Sequence, residues 1–504
     1  MPDVTRRSFL ENTLYAAAAG LAAANVAKGA DVPKNSGESV PATQPSKKTA
    51  ANDRIGMAVI GLHGRGTDAH VEAWMHNDDV DLVAICDVDE AQFKKAQNKL
   101  AERGRPTAKT YQDLRKLFED KDVQAVSIAT PNHWHTLAGV WAMQSGRDVY
   151  VEKPVSHELT EGRRLEQARI KYNRVCQGGT QSRSNRACQE AMKYIHEGNI
   201  GKVLLSRGLC YKGRKSIGHF EDSSPPETLN YDIWLGPAPE RPFNKNRFLY
   251  EWHWNWDYGN GDIGNQGVHQ MDIARWALKD KTLPKSVVGL GGRFGYQDDG
   301  QTPNTMLSLM DFGDAKLLFE VRGLNTPGVP GTGVTVGNLI YGTEGFVAIT
   351  ADYGKAAAFN NKGEIVKQFK GGGDNFSNFT EAVKSRKQSD LNAPVLEGHY
   401  SAALCHLSNI SYRMGEPMPF GVRGKAATDD MDLAEAFGRF EEHLANQVAE
   451  LKSAGRGLKN IGVTYQMGPE LAFDPKTETF GSNEKANQML TREYRAPFVV
   501  PTQV

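Results

Sequence analysis

The sequence predicts two domains, the first an α/β domain built on a parallel, doubly wound sheet. Three observations lead to this prediction. The 504 residues exceed one ordinary domain and suffice for two hydrophobic cores. From Arg54 onward, short apolar runs alternate with helical segments, as in βαβ units. The pattern then changes near residue 178, so we assign 54–178 to the first domain, 179–464 to the second and 465–504 to a tail that wraps over the body.

Composition excludes several classes of partner. The 60 basic residues balance 60 acidic ones, so no net charge draws the chain to nucleic acid. The five cysteines lack metal-ligand spacing and are odd in number. We therefore expect no nucleic-acid partner, no disulfide framework and no metal site.

The N-terminus is similar to a twin-arginine export signal. Arg6 and Arg7 precede an apolar, alanine-rich run over 15–27 that is shorter than the ~20 residues needed to span a bilayer. We assign 1–30 to a signal peptide and 31–53, rich in Pro, Ser, Lys and Thr, to a disordered linker. These segments predict an exported, periplasmic protein without a membrane span in its mature form. The alternative is a chance Arg-Arg pair before an alanine-rich helix.

The first strand is followed by a glycine-rich turn that predicts a dinucleotide site. An apolar run over 55–60 leads into Gly61, His63, Gly64, Arg65 and Gly66, and then into a helical stretch. Phosphates would bind the backbone N–H groups where this helix begins. His63 stands where glycine normally allows close approach to the pyrophosphate, so either Gly64 takes that role or His63 points away. The alternative is a glycine turn without a nucleotide.

Polar residues follow three further predicted strands. Asp87 ends the second strand, where a carboxylate hydrogen-bonds ribose hydroxyls and repels a 2′-phosphate, which favours NAD over NADP. Ligands of doubly wound sheets bind beyond the carboxyl ends of the strands, and two more motifs occur there. These motifs contain Thr130, Asn132 and His133, and Glu152, Lys153 and Pro154.

Together these motifs resemble the glucose-fructose oxidoreductase, inositol dehydrogenase and MocA (Gfo/Idh/MocA) family, with the exported bacterial subgroup closest in character. The resemblance implies that Lys153 is the active-site lysine and that 130–133 lies along the cofactor. It implies that the proline presents the lysine through a cis bond. It also implies that the second, α+β domain forms an open, largely antiparallel sheet that covers the nicotinamide and supports a homo-oligomer.

Residue chemistry agrees with this role of Lys153. A lysine at the mouth of a crevice can hydrogen-bond a reacting carbinol, and desolvation lowers its pKa toward proton transfer. The alternative is a solvated loop lysine paired with Glu152. Gln181 and Arg183 follow another strand, where they either face substrate hydroxyls or cap a helix.

His269 lies on a predicted helix over 265–278. Asn265, His269 and Asp272 fall on one stripe of this helix, which gives the histidine neighbours that can hold one tautomer. The resemblance makes His269 the acid/base partner of Lys153 and Asp272 its orienting residue. Family members carry aspartate where this chain has Asn265, an amide that cannot take a proton. Asp262 is a possible substitute.

Aromatic residues precede this helix. Trp252, Trp254 and Trp256 can stack on the C–H faces of a sugar while Asp257 bonds its hydroxyls. The alternative is that these rings pack in a core or an interface.

The leading hypothesis is an exported oxidoreductase with tightly bound NAD that transfers a hydride to or from a sugar or glycoside. Tight binding is expected because a periplasm supplies no free NAD. The first alternative is an oxidoreductive glycosidase, which oxidises, eliminates, hydrates and re-reduces its substrate. The second is a non-catalytic sugar-binding protein.

Overall fold

The computed structural model describes residues 53–329, 334–350, 353–420, 422–450 and 464–504. The predicted signal peptide and nearly all of the predicted linker lie outside the described residues. Within those ranges, no helix is long and apolar enough to cross a bilayer. The same ranges contain no cluster of three or more His, Cys, Asp and Glu side chains suited to a metal ion.

Six parallel strands form the first sheet, in the order β3-β2-β1-β4-β5-β6. The strands are β1 (Ile55–Ile60), β2 (Val80–Cys86), β3 (Lys109–Tyr111), β4 (Ala125–Ile128), β5 (Asp148–Val151) and β6 (Cys176–Gly178). The helices between them are α1 (Glu72–His76), α2 (Phe93–Glu102), α3 (Leu114–Leu117), α4 (Asn132–Gln144) and α5 (Leu159–Tyr172), with a π-helical segment Gly66–Val71 before α1. The order reverses between β1 and β4, so a crevice opens beyond the carboxyl ends of these strands.

Local sequence explains where the helices of this sheet begin and how they pack. The α5 helix begins with a capping box in which the side chains of Glu158 and Glu161 bond each other's backbone N–H groups. The central strands β1, β4 and β5 are buried along their whole length. Burial on both faces explains their continuous apolar sequence.

The second sheet is mostly antiparallel, as the fold-class prediction states. Its order is β14-β13-β12-β11-β7-β10-β9-β8-β16-β15, with β17 also paired to β8 and only β7 and β10 parallel. The strands are β7 (Val203–Tyr211), β8 (Ser286–Gly292), β9 (Thr305–Asp311), β10 (Lys316–Arg322), β11 (Val336–Gly342), β12 (Gly345–Thr350), β13 (Lys355–Asn360), β14 (Ile365–Lys370), β15 (Glu416–Pro419), β16 (Thr464–Met467) and β17 (Leu471–Ala472).

The helices that follow β6 in the described chain are α6 (Arg186–His196), α7 (Tyr231–Leu235), α8 (Gly261–Gly264), α9 (Gly267–Trp276), α10 (Asn375–Ser385), α11 (Val395–Arg413), α12 (Ala426–Asp429), α13 (Met431–Glu450) and α14 (Glu484–Gln488). Of these, α10 packs in the core of the first sheet through Phe379 and Ala382, and Ile233 of α7 also enters a core of that sheet. The second sheet has helices on both faces. One face packs against α9 and α11, and the other against α13 through Leu433, Phe437 and Phe440. The second sheet is therefore packed against helices on both sides.

The predicted helix over 265–278 begins two residues later in the structure and ends at Trp276. A short helix, Gly261–Gly264, ends before Asn265, and α9 begins only at Gly267. Asn265 has φ −82° and ψ −84°, outside the helical region. The glycines around it explain the break, since they favour helix ends over helix interiors. Asn265 therefore does not share a helical stripe with His269, contrary to the prediction.

The last 40 residues lie across both domains. Tyr465 enters the core beneath α13, and β16 adds a strand to the second sheet. Phe498 and Val500 enter the core of the first sheet. Both domains therefore depend on residues 465–504 for part of their core packing.

Candidate active site

The glycine turn forms one wall of a crevice at the carboxyl edge of the first sheet. Gly61 and Gly64 have positive φ values of 85° and 56°, which side-chain-bearing residues rarely adopt. A Cβ on Gly66 would lie 1.8 Å from the carbonyl oxygen of Gly61, so the turn closes only on glycine. The His63 side chain is exposed, and Gly64 has open space around its Cα. The backbone therefore remains open to a phosphate despite His63.

Asp87 lies at the second wall of this crevice. Its carboxylate accepts hydrogen bonds from the backbone N–H of Leu62 at 2.6 Å and of Asp89 at 2.9 Å. Burial raises the pKa of Asp87 to about 6, against the opposing effect of these bonds. The carboxylate thus ties β2 to the glycine turn at the position where a ribose would bind.

The crevice floor carries a buried ion cluster centred on Glu152. Arg65 donates to its Oε1 at 2.8 Å, and His70 lies 3.0 Å from the same oxygen. Although burial raises the pKa of Glu152, Arg65 and His70 outweigh that effect and hold it well below its ordinary value. His70 in turn contacts the hydroxyl of Ser127 at 2.7 Å. Glu152 is therefore ionised, and its charge is matched before any ligand binds.

Lys153 extends from this cluster toward the second domain. Its Nζ donates to the main-chain carbonyl of Asn265 at 3.0 Å and to the side-chain oxygen of Asn265 at 3.4 Å. Burial lowers the pKa of Lys153 to about 8, although the nearby charge of Glu152 opposes the shift. The peptide bond from Lys153 to Pro154 is cis, as the resemblance implies.

Asn265 holds the lysine without neutralising it. Its main-chain carbonyl and its side-chain amide each supply one oxygen acceptor but no negative charge, and its Nδ2 donates to the hydroxyl of Tyr250 at 3.4 Å. The suggested substitute, Asp262, is bound by Arg214 at 2.6 and 2.9 Å. Neither side chain forms an ion pair with Lys153 among the described contacts, so the lysine keeps its lowered pKa.

His269 lies on α9, is 5 % exposed, and lies outside the described lining of the crevice that contains Lys153. Burial lowers its pKa well below the ordinary value, and the charge of Lys153 acts in the same direction. Across the described residues, its Nδ1 is buried and has no hydrogen-bond partner. The acid/base role that the resemblance gives His269 therefore remains a prediction, since its unsatisfied nitrogen is buried beside the crevice and not in its described lining.

Asp272 does not orient His269, contrary to the prediction. Its carboxylate accepts hydrogen bonds from Arg183 at 2.9 to 3.0 Å and from Ser401 at 2.6 Å. Arg183 also pairs with Glu397 at 3.0 Å and lies over the ring of Trp276. The assignment of Arg183 to substrate is therefore wrong, because its guanidinium joins α9 to α11. Gln181 lies in the adjoining 3-10 turn and outside the described lining of the crevice.

The loop at the end of β4 is divided between the crevice and the core. Thr130 and Asn132 line the crevice, and within the described ranges the buried Thr130 hydroxyl has no hydrogen-bond partner. His133 instead contacts the carbonyl oxygen of Trp234 at 2.9 Å and packs against Tyr258. His135 replaces it at the crevice, 2.7 Å from the carbonyl oxygen of Thr130 and 2.6 Å from that of Pro154. No pattern in the sequence distinguishes His133 from His135, which lie two residues apart in the same motif.

The predicted aromatic platform is only partly present. Trp252 lines the crevice, whereas Trp254 and Trp256 lie under the guanidinium groups of Arg214 and Arg413, outside its described lining. Asp257 is paired with Arg241 at 2.5 Å. These three side chains stabilise the loop. Residues that the sequence analysis missed complete the wall, namely Trp234, Phe248, Leu249, Tyr250 and His253.

Family models match both domains. Residues 55–180 match the oxidoreductase family, NAD-binding Rossmann fold, and residues 205–291 match the oxidoreductase family, C-terminal alpha/beta domain. The chain belongs to the Gfo/Idh/MocA oxidoreductase family. The predicted cofactor, NAD, is confirmed at the level of this family, since the matched domain is its NAD-binding domain. The open glycine turn and the unpartnered Thr130 hydroxyl fit a dinucleotide.

Curated relatives match a smaller part of this Gfo/Idh/MocA protein. A glycosyl hydrolase family 109 protein of Shewanella baltica is 34% identical over 170 residues, which are 32% of this chain and 36% of the relative. An alpha-N-acetylgalactosaminidase of Shewanella oneidensis is 35% identical over 170 residues, with the same coverage. The chain thus spans about a third of the length of these relatives.

Solved structures share the fold over most of the chain. The WlbA dehydrogenase of Bordetella pertussis in complex with NADH and UDP-GlcNAcA has a TM-score of 0.52 and 20% identity, covering 73% of this chain and 98% of its own. An inositol dehydrogenase homolog of Azotobacter vinelandii complexed with NADH and myo-inositol has a TM-score of 0.54 and 18% identity, covering 72% and 96%. At these identities the likeness concerns the fold.

Proposed function

We propose that the protein is an NAD-dependent oxidoreductase that transfers a hydride between a carbinol carbon of a sugar or glycoside and tightly bound NAD. The observation that carries this proposal is the position of Lys153. Its amine, with a pKa of about 8, lies in the same crevice as the glycine turn and Asp87. Such a pKa gives a lysine both an acidic and a basic form near neutral pH.

The residues of the crevice divide the work of such a reaction. Bound NAD would accept the hydride of the carbinol. Neutral Lys153 takes the hydroxyl proton, and the ammonium so formed stabilises the developing negative oxygen. His269, which is neutral and has an unsatisfied Nδ1, bonds the same hydroxyl or its neighbour. Asn265 keeps the amine aimed across the crevice.

The test combines cofactor analysis with turnover. Purified protein is expected to carry NAD(H), detected by absorbance and mass analysis. At least one sugar in a panel of glycosides is expected to reduce the bound NAD to NADH. Lys153→Ala should lower turnover by about 10²- to 10⁴-fold, the usual contribution of a general base. If Lys153→Ala and His269→Ala both leave turnover at the wild-type level, the assignment is overturned and a non-catalytic sugar-binding protein is favoured.

The curated relatives favour a second candidate, an oxidoreductive glycosidase. One of them is named an alpha-N-acetylgalactosaminidase. In such a cycle, oxidation of a ring hydroxyl acidifies the adjacent C–H, the aglycone leaves by elimination, water adds, and re-reduction restores NAD. The expected signature is sugar release with deuterium incorporated at that carbon in D₂O. Accumulation of ketosugar and NADH alone would remove this candidate.

Export to the periplasm rests on the Arg6-Arg7 motif and the apolar run that follows it. Folded export would let the protein bind NAD in the cytoplasm and carry it across. Replacing both arginines by lysine should leave the protein in the cytoplasm, measured by cell fractionation. Lys34→Arg, in the predicted linker, is the control that should not change localisation.

A homo-oligomer remains our expectation, but not through the face of the second sheet under α13. That face is buried by apolar side chains of this chain, including Phe437 and Phe440. Light scattering on the purified protein would measure the mass. A monomer across micromolar concentrations would contradict the expectation.

A further inference from the structure

His253 lies in the crevice wall beside Lys153 and Asn265, and the roles described above do not include it. Its ring stacks on Trp252, with centroids 3.6 Å apart and planes 20° from parallel. Tyr250 closes the other side, with ring centroids 4.6 Å apart. The imidazole is therefore held in one plane by two aromatic neighbours.

One hydrogen bond fixes which nitrogen of His253 carries the proton. Nδ1 lies 2.6 Å from the main-chain carbonyl oxygen of Tyr250. A carbonyl oxygen only accepts, so Nδ1 donates its N–H. Burial lowers the pKa of His253 to about 3, and the charges of Lys153 and Arg214 act in the same direction. The ring is neutral at pH 7, which leaves Nε2 with a lone pair.

The lone pair on Nε2 is available to a ligand. Within the part of the chain that the structure describes, no protein donor bonds Nε2, and the ring lines the crevice. Among the described residues, Nε2 of His253 is not one of the polar atoms that are fully buried without a partner. A neutral imidazole nitrogen facing a cavity accepts a hydrogen bond from O–H or N–H.

The backbone around His253 is constrained to this arrangement. A Cβ on Gly259 would lie 2.7 Å from both the Cα and the carbonyl oxygen of His253. Leu249, at the rim, adopts a left-handed conformation with φ 50°. Both features fix the path of the short 3-10 helix Glu251–Trp254 that carries the histidine.

We propose that His253 is a substrate-binding residue whose Nε2 accepts a hydrogen bond from one hydroxyl of the sugar, and so selects substrates that carry a donor there. The proposal rests on the proposed function, because it assigns a contact to the same substrate. His253 binds this hydroxyl, whereas Lys153 moves the proton of the reacting one.

The first test measures the tautomer and needs no turnover. In protein labelled with ¹⁵N-histidine, NMR at pH 7 should show His253 protonated at Nδ1 and unprotonated at Nε2, with His253→Phe used for assignment. Adding methyl glycosides of glucose, galactose and N-acetylgalactosamine should shift the Nε2 resonance for at least one sugar. A proton on Nε2, or no shift with any of these probes, would overturn the proposal.

The second test uses the methyl glycoside with the highest turnover and its monodeoxy analogues. His253→Phe keeps the stacking on Trp252 and should lower kcat/KM by roughly 10- to 100-fold, the usual loss when a polar substrate contact is removed. One deoxy analogue should be turned over equally by the wild type and by this variant. His253→Gln, which restores an acceptor, should recover part of the loss, and exposed His76→Phe should change nothing.

These results separate the two proposals. If His253→Phe lowers kcat/KM by the same factor for every deoxy analogue, the histidine has a structural role only. If no methyl glycoside is turned over by the wild type, the proposed function fails, while the NMR measurement still decides the role of His253.

Discussion

The charge state of Lys153 depends on its burial and on the charges and acceptors around its amine. Burial lowers its pKa to about 8, although Glu152 opposes the shift, and among the described residues the amine donates to oxygen acceptors of Asn265 at 3.0 and 3.4 Å. A carboxylate at the same position would favour the ammonium form. The departure from the family pattern at Asn265 therefore has a chemical consequence, since it keeps the base active near neutral pH.

A pH profile tests this consequence. If neutral Lys153 is the base, kcat/KM should rise with pH through about 8 and then level off, because the amine must lose its proton first. Asn265→Asp should move this inflection upward by about one pH unit or more. Asn265→Leu, which adds no charge, is the control without an upward shift. An unchanged inflection in Asn265→Asp would contradict the role of Lys153 as the base.

Two glycines of the turn differ in what an added methyl group would meet. On Gly66 a Cβ would lie 1.8 Å from the carbonyl oxygen of Gly61, whereas on Gly64 it would meet no atom within 4 Å. Gly66→Ala should therefore open the turn and weaken NAD binding at least tenfold, measured by calorimetry. Gly64→Ala faces only backbone strain of about 1 kcal/mol at φ 56° and should bind within a few fold of the wild type. Equal losses in both variants would contradict this explanation.

At the scale of elements, helix boundaries decide which side chains reach the crevice. The break between Gly264 and Gly267 leaves the carbonyl of Asn265 3.0 Å from the Lys153 amine, and His269 follows on α9. Periodicity places the start of the helix at Asn265, because it reports apolar spacing and not the local effect of flanking glycines. Arg183 and Asp272 bond each other in the structure, whereas the sequence predicts a substrate for Arg183 and His269 for Asp272. Spacing along the chain does not encode pairing between elements.

The contact between β10 and α13 contains a buried charge network. Glu320 is fully buried and accepts a hydrogen bond from Arg439 at 2.6 Å, with Arg207 at 3.5 Å and Arg322 at 3.4 Å. Although burial raises the pKa of Glu320, the three arginines hold it at about 2. Its stabilising contribution is therefore complete above the ordinary pKa of 4.5 and is lost as pH falls toward 2.

Replacing this carboxylate should destabilise the second domain. Glu320→Gln removes the fully buried carboxylate that three arginines share and leaves Arg207 and Arg439 paired with Glu435 alone, so it should cost about 3 to 5 kcal/mol of unfolding free energy at pH 7. The difference from wild type should shrink as pH falls below 4.5, measured by urea denaturation at several pH values. Exposed Glu344→Gln should change the free energy by less than about 0.5 kcal/mol. A difference that does not depend on pH would contradict the charge argument.

At the scale of the whole molecule, the C-terminal segment joins regions far apart in sequence. The side chain of Arg495 donates to the backbone carbonyls of Asp232 on α7 and of Gly236 just after it, and the hydroxyl of Tyr494 donates to Glu161 on α5. Phe498 lies against Trp134 on α4, with ring centroids 5.5 Å apart. This segment therefore stabilises both the cofactor domain and the α7 helix that carries Trp234.

The contribution of the segment can be measured at Phe498. Phe498 is 1 % exposed, so Phe498→Ala should lower the unfolding free energy by about 3 to 5 kcal/mol through lost burial and a cavity. The neighbouring Val499 is 44 % exposed, and Val499→Ala should cost less than about 0.5 kcal/mol. Thermal unfolding of both variants checks the expectation. Similar stability of the two would show that the segment is not part of the core.

The sequence by itself determined the fold class, the glycine turn and Asp87, whereas the pairing of Lys153 with His269 remains a prediction that the family resemblance implies. These features depend on local order along the chain, because strand, turn and helix signals and motif spacing are read within a few dozen residues. Only the tertiary structure decided that Asn265 holds the lysine, that His253 and not Trp254 or Trp256 faces the crevice, and that His135 replaces His133. The physical reason is that the direction of a side chain in an irregular loop is set by packing and hydrogen bonds to distant residues, for which local sequence carries no periodic signal.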